Sequence, residues 1–428
     1  MSTNKIKILT ISDHPLLPSG VGTQTKYVIE ALLKTGKFEV LSLGGAIKHP
    51  DYTPTSVNVE YLCSADIQAG SWTIVPVDGY SNATDLMNHI RNWKPDILYF
   101  MTDPRFYEWL WSIEDTVRAV VPMVYYHVWD NYPYPSYNDR FYSSNDFIAT
   151  ISKVTSDIVQ TVSPQVDELY IPHAVDQNIY KRVPDEVISK MIENNAFLKG
   201  KKVFFWNNRN ARRKQTGSLI FWFKKFLEHP EVDRKKTCLV IHSDPNDPHG
   251  QPIHYLQDSL GFNPGEIVLS TKKLPAKELA LLYNVATCTI NISDAEGFGL
   301  ATLESLSCGT PIIVTMTGGL QEQVTDGTNW FGIGITPCSK AIIGSQNVPY
   351  IYEDRISQED FVNALLKVYK MEPEELEEIS KLGLQHIEKN YNFATFEKQW
   401  QDAMIQVHEK NGSWDNRKNY ENLRVEIL

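Results

Sequence analysis

Between residues 293 and 319 the chain reads Ser-Asp-Ala-Glu-Gly-Phe-Gly-Leu-Ala-Thr-Leu-Glu, then Ser-Leu-Ser-Cys-Gly-Thr-Pro and, after a short apolar run, Gly318-Gly319. The pattern is that of a strand ending at Ser293, a glycine-bearing loop, and a helix opening near Leu300. Glycines let backbone N–H groups approach a ligand closely, and the positive end of the following helix dipole faces the loop. Such a loop is an anion cradle. Glu296 stands in it and Glu304 inside the helix, so one carboxylate can address a sugar beside bound phosphates while the other accepts hydrogen bonds from a ribose. The competing reading is a loop charge and a solvated helix face.

A second cluster, Asn207-Asn-Arg-Asn-Ala-Arg-Arg-Lys214, follows an apolar strand and precedes a helix. It places guanidinium and ammonium groups at the carboxyl end of a strand, where open α/β sheets bind ligands. Phosphate is the natural counter-ion, and a solvated basic turn is the alternative. Near the N-terminus, Gly20-Val-Gly22 also lies between a strand and a helix, but Thr25 occupies the last position of G-x-G-x-x-G, which disfavours a nicotinamide dinucleotide. His127 ends the run VVPMVYYHV, where it is either a structural hydrogen-bonder or a site residue. Around it stand Tyr125, Tyr126, Trp129, Tyr132, Tyr134, Tyr137, Phe141 and Tyr142, which either line a cleft for a sugar or base or form an aromatic cluster of their own.

The elements that must position these groups repeat the same alternation twice. Residues 5–12 are a strand, followed by loop, a helix over TQTKYVIEALLKTG, and a strand FEVLSLG; further apolar runs at 96–101 and 120–128 extend the pattern. Pro164, Pro172 and Pro184 mark an interdomain connection, and the boundary is expected near residue 185. Beyond it, strands at 203–208, 238–243, 266–270, 288–293 and 311–315 alternate with helical stretches. The expected organisation is a Rossmann-like domain over 1–185, a second over 186–390, and a C-terminal segment 391–428 whose aromatic helix returns to the first domain and whose last residues form a polar tail.

Composition narrows the class. With 428 residues, 42% hydrophobic and 22% charged, the chain supports two or three globular domains and excludes wholesale disorder. Lys plus Arg is 41 and Asp plus Glu 52, a net charge of −11, which argues against general nucleic-acid binding. Five cysteines without a C-x-x-C pair suggest neither a disulfide framework nor zinc. No signal region or spanning run appears, so a cytoplasmic location is expected.

The order E-G-F-G-L-x-x-x-E-x-x-x-C-G-T-P, followed by G-G, resembles the C-domain signature of retaining glycosyltransferases of family GT4 (glycosyl transferases group 1). The resemblance implies an α/β protein of the GT-B fold, two Rossmann-like doubly wound domains facing a central cleft. By the same resemblance Glu296 contacts the transferred sugar, Glu304 binds the ribose, and the amides of Phe298, Gly299 and Leu300 hold the diphosphate. Arg209 and Lys214 neutralise the leaving group, His127 contacts the sugar, and Gly20 and Gly22 lie near the donor phosphates.

Three departures are visible: Gln215 stands where the family often has Gly, Ala174 replaces Gly in Ile171-Pro-His-Ala-Val-Asp176, and the acidic partner of His127 is displaced to Asp130. The implied activity is transfer of a sugar from a nucleoside diphosphate sugar to an unidentified hydroxyl acceptor, with no metal and no cofactor. Attack on the same face as the departing diphosphate is preferred, since no second carboxylate is placed as a nucleophile. A same-fold sugar phosphorylase or nucleotide-sugar epimerase, and a non-catalytic glycan- or nucleotide-sugar-binding module, are the alternatives.

Overall fold

The apolar runs of the sequence become the central strands of two sheets in the computed structural model, which describes residues 5–62 and 70–421. Cys63 and the last seven residues of the polar tail lie outside the described residues. The chain divides into two units: Met1–Trp129 with Tyr134–His173 and Ala394–Leu428, and Asp130–Pro133 with Ala174–Phe393.

In the first unit the strands are β1 (Ile6–Asp13), β2 (Phe38–Gly45), β3 (Thr55–Ser56), β4 (Trp72–Pro76), β5 (Ile97–Met101), β6 (Met123–His127), β7 (Phe147–Thr150) and β8 (Glu168–Tyr170). They form one sheet in the order β3-β4-β2-β1-β5-β6-β7-β8, parallel except for β3. A parallel sheet is covered on both faces, and so β5, Ile-Leu-Tyr-Phe-Met, is buried at every position. The chain winds first to one side of β1 and then, through β5, to the other.

The C-terminal helix Phe393–Asn411 is amphipathic, and its buried Trp400 packs edge-on to Tyr99 and Tyr126, with ring centroids 5.6 and 4.8 Å apart. Gln401 donates to the Ala31 carbonyl at 2.7 Å. The start of the tail is also tied down: Trp414 Nε1 donates to the Pro95 carbonyl at 2.8 Å, and Arg417 pairs with Asp146 at 2.6 Å.

The second unit holds β9 (Lys202–Asn207), β10 (Thr237–His242), β11 (Ile267–Ser270), β12 (Cys288–Asn291), β13 (Ile312–Thr315) and β14 (Gly332–Ile335), all parallel, in the order β11-β10-β9-β12-β13-β14. An antiparallel pair, β15 (Ser339–Ile343) and β16 (Ile351–Arg355), stands outside this sheet. The core gathers Phe204, Trp206, Phe223, Ile241, Ile290 and Ile313 with Phe361 and Leu365 of the helix Gln358–Lys370.

The passage into the second unit falls at Ala174 rather than near residue 185. Its cause is hydrogen bonding: Val183 N–H donates to the Asn284 side chain at 2.9 Å, which returns a bond to the Lys181 carbonyl at 3.0 Å. Residues 181–183 are thereby stitched to the helix that carries Asn284. The glycine-rich β14 and the short β7 carry too little apolar pattern to be read as strands from sequence.

Candidate functional site

In a doubly wound sheet the loops diverge where the strand order reverses, leaving a crevice at the carboxyl ends of the two strands there. In the second unit that point lies between β9 and β12. The basic segment 207–214 leaves β9 and the glycine loop 293–299 leaves β12, so topology brings together two motifs about 80 residues apart in sequence.

The glycine loop is held by backbone geometry no other residue type would fit. Gly299 caps the helix Leu300–Ser307 with φ +91°, and a Cβ there would lie 2.5 Å from Leu320 Cδ2. Gly318 has φ +48°, and a Cβ on it would stand 1.9 Å from the Glu296 carbonyl oxygen. Gly319 N–H donates to that same oxygen at 3.0 Å. Gln323 Nε2 donates to the Phe298 carbonyl at 2.7 Å, and Thr302 Oγ1 to the Gly299 carbonyl at 2.7 Å. The stretch bearing the Phe298, Gly299 and Leu300 amides is therefore held by the protein's own bonds, and the first turn of the helix carries no acidic residue to oppose an anion.

Glu296 is buried. Its Oε2 accepts from the Lys214 ammonium, from Ser293 Oγ at 3.3 Å and from Asn291 Nδ2 at 3.4 Å, with Arg213 3.9 Å away. Burial opposes its ionisation, but the Lys214 and Arg213 charges and these hydrogen bonds outweigh burial and hold the carboxyl down to about 2. Lys214 is also buried, and burial together with the neighbouring Arg213 lowers it to about 8 against the pull of Glu296. At neutral pH both are charged. Neither is a solvated surface group.

Arg209 is not part of this pair. Its side chain is 63% exposed and is held by Asp247, Nε to Oδ2 at 2.6 Å and the second guanidinium nitrogen to Oδ1 at 3.3 Å. Arg213 is the guanidinium at the Glu296 loop, donating to the Ala295 carbonyl at 2.5 Å.

Glu304 is no solvated helix face either. Tyr283, from the helix Ala276–Val285, donates to Oε2 at 2.6 Å, and Asn207 at the end of β9 donates to the Tyr283 hydroxyl at 2.7 Å. Burial raises the Glu304 carboxyl to about 7, against hydrogen bonds from Tyr283 and Tyr180.

In the first unit, the helix Gly20–Leu33 follows β1, and Ser19 caps it by accepting from Gly22 N–H at 2.9 Å while donating to Asp13 at 2.6 Å. A Cβ on Gly22 would meet the His14 carbonyl oxygen at 2.8 Å, which accounts for the second glycine by packing. His127 is fully buried at the end of β6. Its Nε2 bonds the Tyr142 hydroxyl at 2.8 Å, and its Nδ1 has no partner among the described residues. Burial lowers it to about 3, so it is neutral. Of the rings around it, Tyr125, Tyr126 and Tyr142 belong to the core, Tyr125 stacking on Phe100 at 4.8 Å. For these three the packed cluster, not a cleft lining, is what the structure holds.

Residues 188–383 match the family Glycosyl transferases group 1. The matched span lies within the second unit. A D-inositol 3-phosphate glycosyltransferase of Thermobifida fusca is 40% identical over 124 residues, 28% of each chain, so the match spans little more than a quarter of that relative's length. Similarity of fold extends much further. Sucrose-phosphate synthase of Thermosynechococcus elongatus superposes with a TM-score of 0.71 at 14% identity, over 95% of this chain and 100% of the other. Anabaena HepE, solved with UDP and glucose, gives 0.66 at 15% identity over 94% and 100%. The chain has the GT-B fold, with two Rossmann-like units.

Within the second unit, the site contacts that the sequence pattern does not single out are those of Asn207, Arg213, Tyr283, Asn291 and Gln323. Arg213 and Asn207 lay inside a stretch already singled out. Tyr283, in an ordinary amphipathic helix, and Gln323, just past Gly318-Gly319, carried no local signal. No helix among the described residues is long and apolar enough to cross a membrane.

Proposed function

We propose that the chain is a retaining glycosyltransferase that moves a sugar from a nucleoside diphosphate sugar, UDP-linked in the first instance, to a hydroxyl acceptor. The observation that carries this reading is the buried Lys214–Glu296 pair beneath a preformed glycine loop at the β9/β12 switch point. A cation and a ring of backbone amides answer a diphosphate, and a carboxylate beside them answers sugar hydroxyls. UDP is favoured because HepE, which shares the fold, was solved with it.

When the glycosidic bond breaks, negative charge grows on the diphosphate. Lys214 and the loop amides are fixed in advance where they stabilise that charge, and Arg209 joins them by exchanging Asp247 for phosphate. These cations let the reaction proceed without a metal ion. Glu296, kept ionised, orients the sugar, and Glu304 takes the ribose hydroxyls. Acceptor attack comes on the face the diphosphate leaves. His127 is assigned to the transferred sugar by the family pattern; its unpartnered buried Nδ1, a group that costs about 1–3 kcal/mol to leave unsatisfied, favours a ligand hydroxyl there. The chain is taken to work in the cytoplasm.

The test is a thermal-shift panel with UDP, GDP, ADP, dTDP and CMP, each with and without EDTA. Ligand at about 100 times its dissociation constant stabilises by about 2.7 kcal/mol, a rise of a few degrees. A selective rise for one diphosphate, unchanged by EDTA, is expected. Absence of any rise would remove the donor-site assignment.

A further inference from the structure

The antiparallel pair β15 and β16 lies outside the six-stranded sheet, yet β16 is bonded to both segments that carry the Lys214–Glu296 pair. Arg212, two residues before Lys214, forms a two-pronged pair with Glu353 of β16, at 2.9 and 2.5 Å. Asp294, two residues before Glu296, accepts from Arg355 of β16 at 2.7 Å and from Gln215, next to Lys214, at 2.6 Å. Arg355 also reaches Glu353 at 3.1 Å, closing the ring of charges. Backbone bonds run in parallel: Asp354 N–H donates to the Asp294 carbonyl at 2.9 Å, and Asp294 N–H to the Arg213 carbonyl at 2.8 Å.

We propose that β16 is the positioning element of the site: Glu353 and Arg355, through Arg212 and Asp294, set the spacing of Lys214 and Glu296. The proposal rests on the transferase reading for its catalytic consequence. Its physical basis is that Lys214 ends a single 3-10 turn, Arg212–Lys214, and Glu296 sits on an irregular loop, and such short connections alone do not hold a side chain to the fraction of an ångström that transition-state stabilisation demands. The two-pronged Arg212–Glu353 pair resists sliding as well as separation because the fork fixes direction, and Arg355 ties Glu353 to Asp294 through one nitrogen on each. The Asp294 and Glu353 carboxylates are both buried, so water competes poorly at the accepting oxygens although the Arg212 side chain is 55% exposed. Neither Glu353 nor Arg355 is placed against the donor, so both are positioning residues.

The test uses the full chain with Arg355→Met, Glu353→Gln and Arg355→Lys, read by amide hydrogen exchange and by turnover of UDP-glucose. Arg355→Met and Glu353→Gln should raise exchange in both 209–215 and 293–299 at least tenfold, with the β9–β14 sheet unchanged. They should lower kcat at least tenfold with KM altered less than threefold, and Arg355→Lys, which keeps a cation on Asp294, should recover most of both effects. Unchanged exchange in the two loops would overturn the proposal whatever the activity. So would a loss of turnover that merely follows falling thermal stability and is not recovered by Arg355→Lys. An unaltered protein that turned over no nucleotide sugar would count against the transferase reading, while the exchange result would still judge the brace.

Discussion

Tyr283 donates its hydroxyl proton to a Glu304 carboxyl oxygen across 2.6 Å, and Asn207 donates to that same hydroxyl across 2.7 Å. The chain of three links the end of β9 to the helix after the glycine loop, and it decides how Glu304 is presented. Replacing Tyr283 by Phe keeps the buried ring and deletes one hydrogen bond to the Glu304 carboxyl, a loss of about 0.5–1.5 kcal/mol in the orientation of Glu304. UDP affinity measured by calorimetry should fall about three- to tenfold. Affinity within twofold of the parent would separate Tyr283 from the ribose-binding function.

The raised Glu304 carboxyl also has a stability signature. Folded protein retains this proton up to about pH 7, whereas the unfolded chain loses it near the ordinary carboxyl value of 4.5. Between those values the native state binds more protons, so stability declines as pH rises through the window and levels off above it. Glu304→Gln, which keeps an acceptor for Tyr283, should flatten that decline in urea titrations run from pH 4.5 to 7.5. An unaltered slope would mean that Glu304 is ordinary in the folded protein.

Buried histidines act in the opposite sense. Burial holds His127 and His173 at about 3, below the ordinary 6.5 of the unfolded chain. The unfolded chain therefore takes up protons first as pH falls, and stability is lost from about pH 6.5 down to about 3. His173→Asn should weaken this acid sensitivity, measured as the midpoint of acid unfolding. His127→Asn should do the same, keep UDP affinity within about twofold, and lower sugar transfer at least tenfold. Full transfer activity in His127→Asn would return that residue to a purely structural role beside Tyr142.

The glycine requirement is most severe at Gly318, where both φ and a contact with the Glu296 carbonyl exclude a side chain. Gly318→Ala must therefore push the glycine loop away from the helix Leu320–Val324 or unfold its first turn. A loss of UDP affinity of about tenfold, with a fall of several degrees in melting temperature, is expected. Gly327→Ala is the control, since its φ of +91° is also positive but no atom lies within 4 Å of the added Cβ. It should lower stability alone, and equal losses of affinity in the two variants would contradict a local role for Gly318.

What could be read in advance depended on whether a residue's partner lay within its own motif. The alternation of apolar runs with helices led directly to two wound sheets, and Glu296 and Glu304 announced themselves because loop, helix start and glycine pair follow in order. Lys214 was visible for the same reason, but its burial was not, because Glu296, the partner that holds it inside, lies 82 residues on. Arg209 read as its equal, yet Asp247, 38 residues on, claims its guanidinium. Tyr283 looked like any buried helix aromatic. Such assignments are made by strand order and crossing loops, which a linear pattern does not encode.

The Lys214–Glu296 pair offers the sharpest separation of folding from function. Removing one partner of a buried ion pair leaves an uncompensated charge, typically a loss of about 3–5 kcal/mol, whereas replacing both by neutral groups of similar shape is often nearly neutral. Lys214→Met should therefore cost stability toward the lower end of that range, because Arg213 and Asn291 still face Glu296. The double variant Lys214→Met with Glu296→Gln should regain most of this in denaturant unfolding. Catalysis should behave otherwise, since the diphosphate still lacks its cation and the sugar its carboxylate: turnover should fall by about 10²–10³ in the single variant and recover nothing in the double. Recovered turnover alongside recovered stability would show that the pair serves the fold alone.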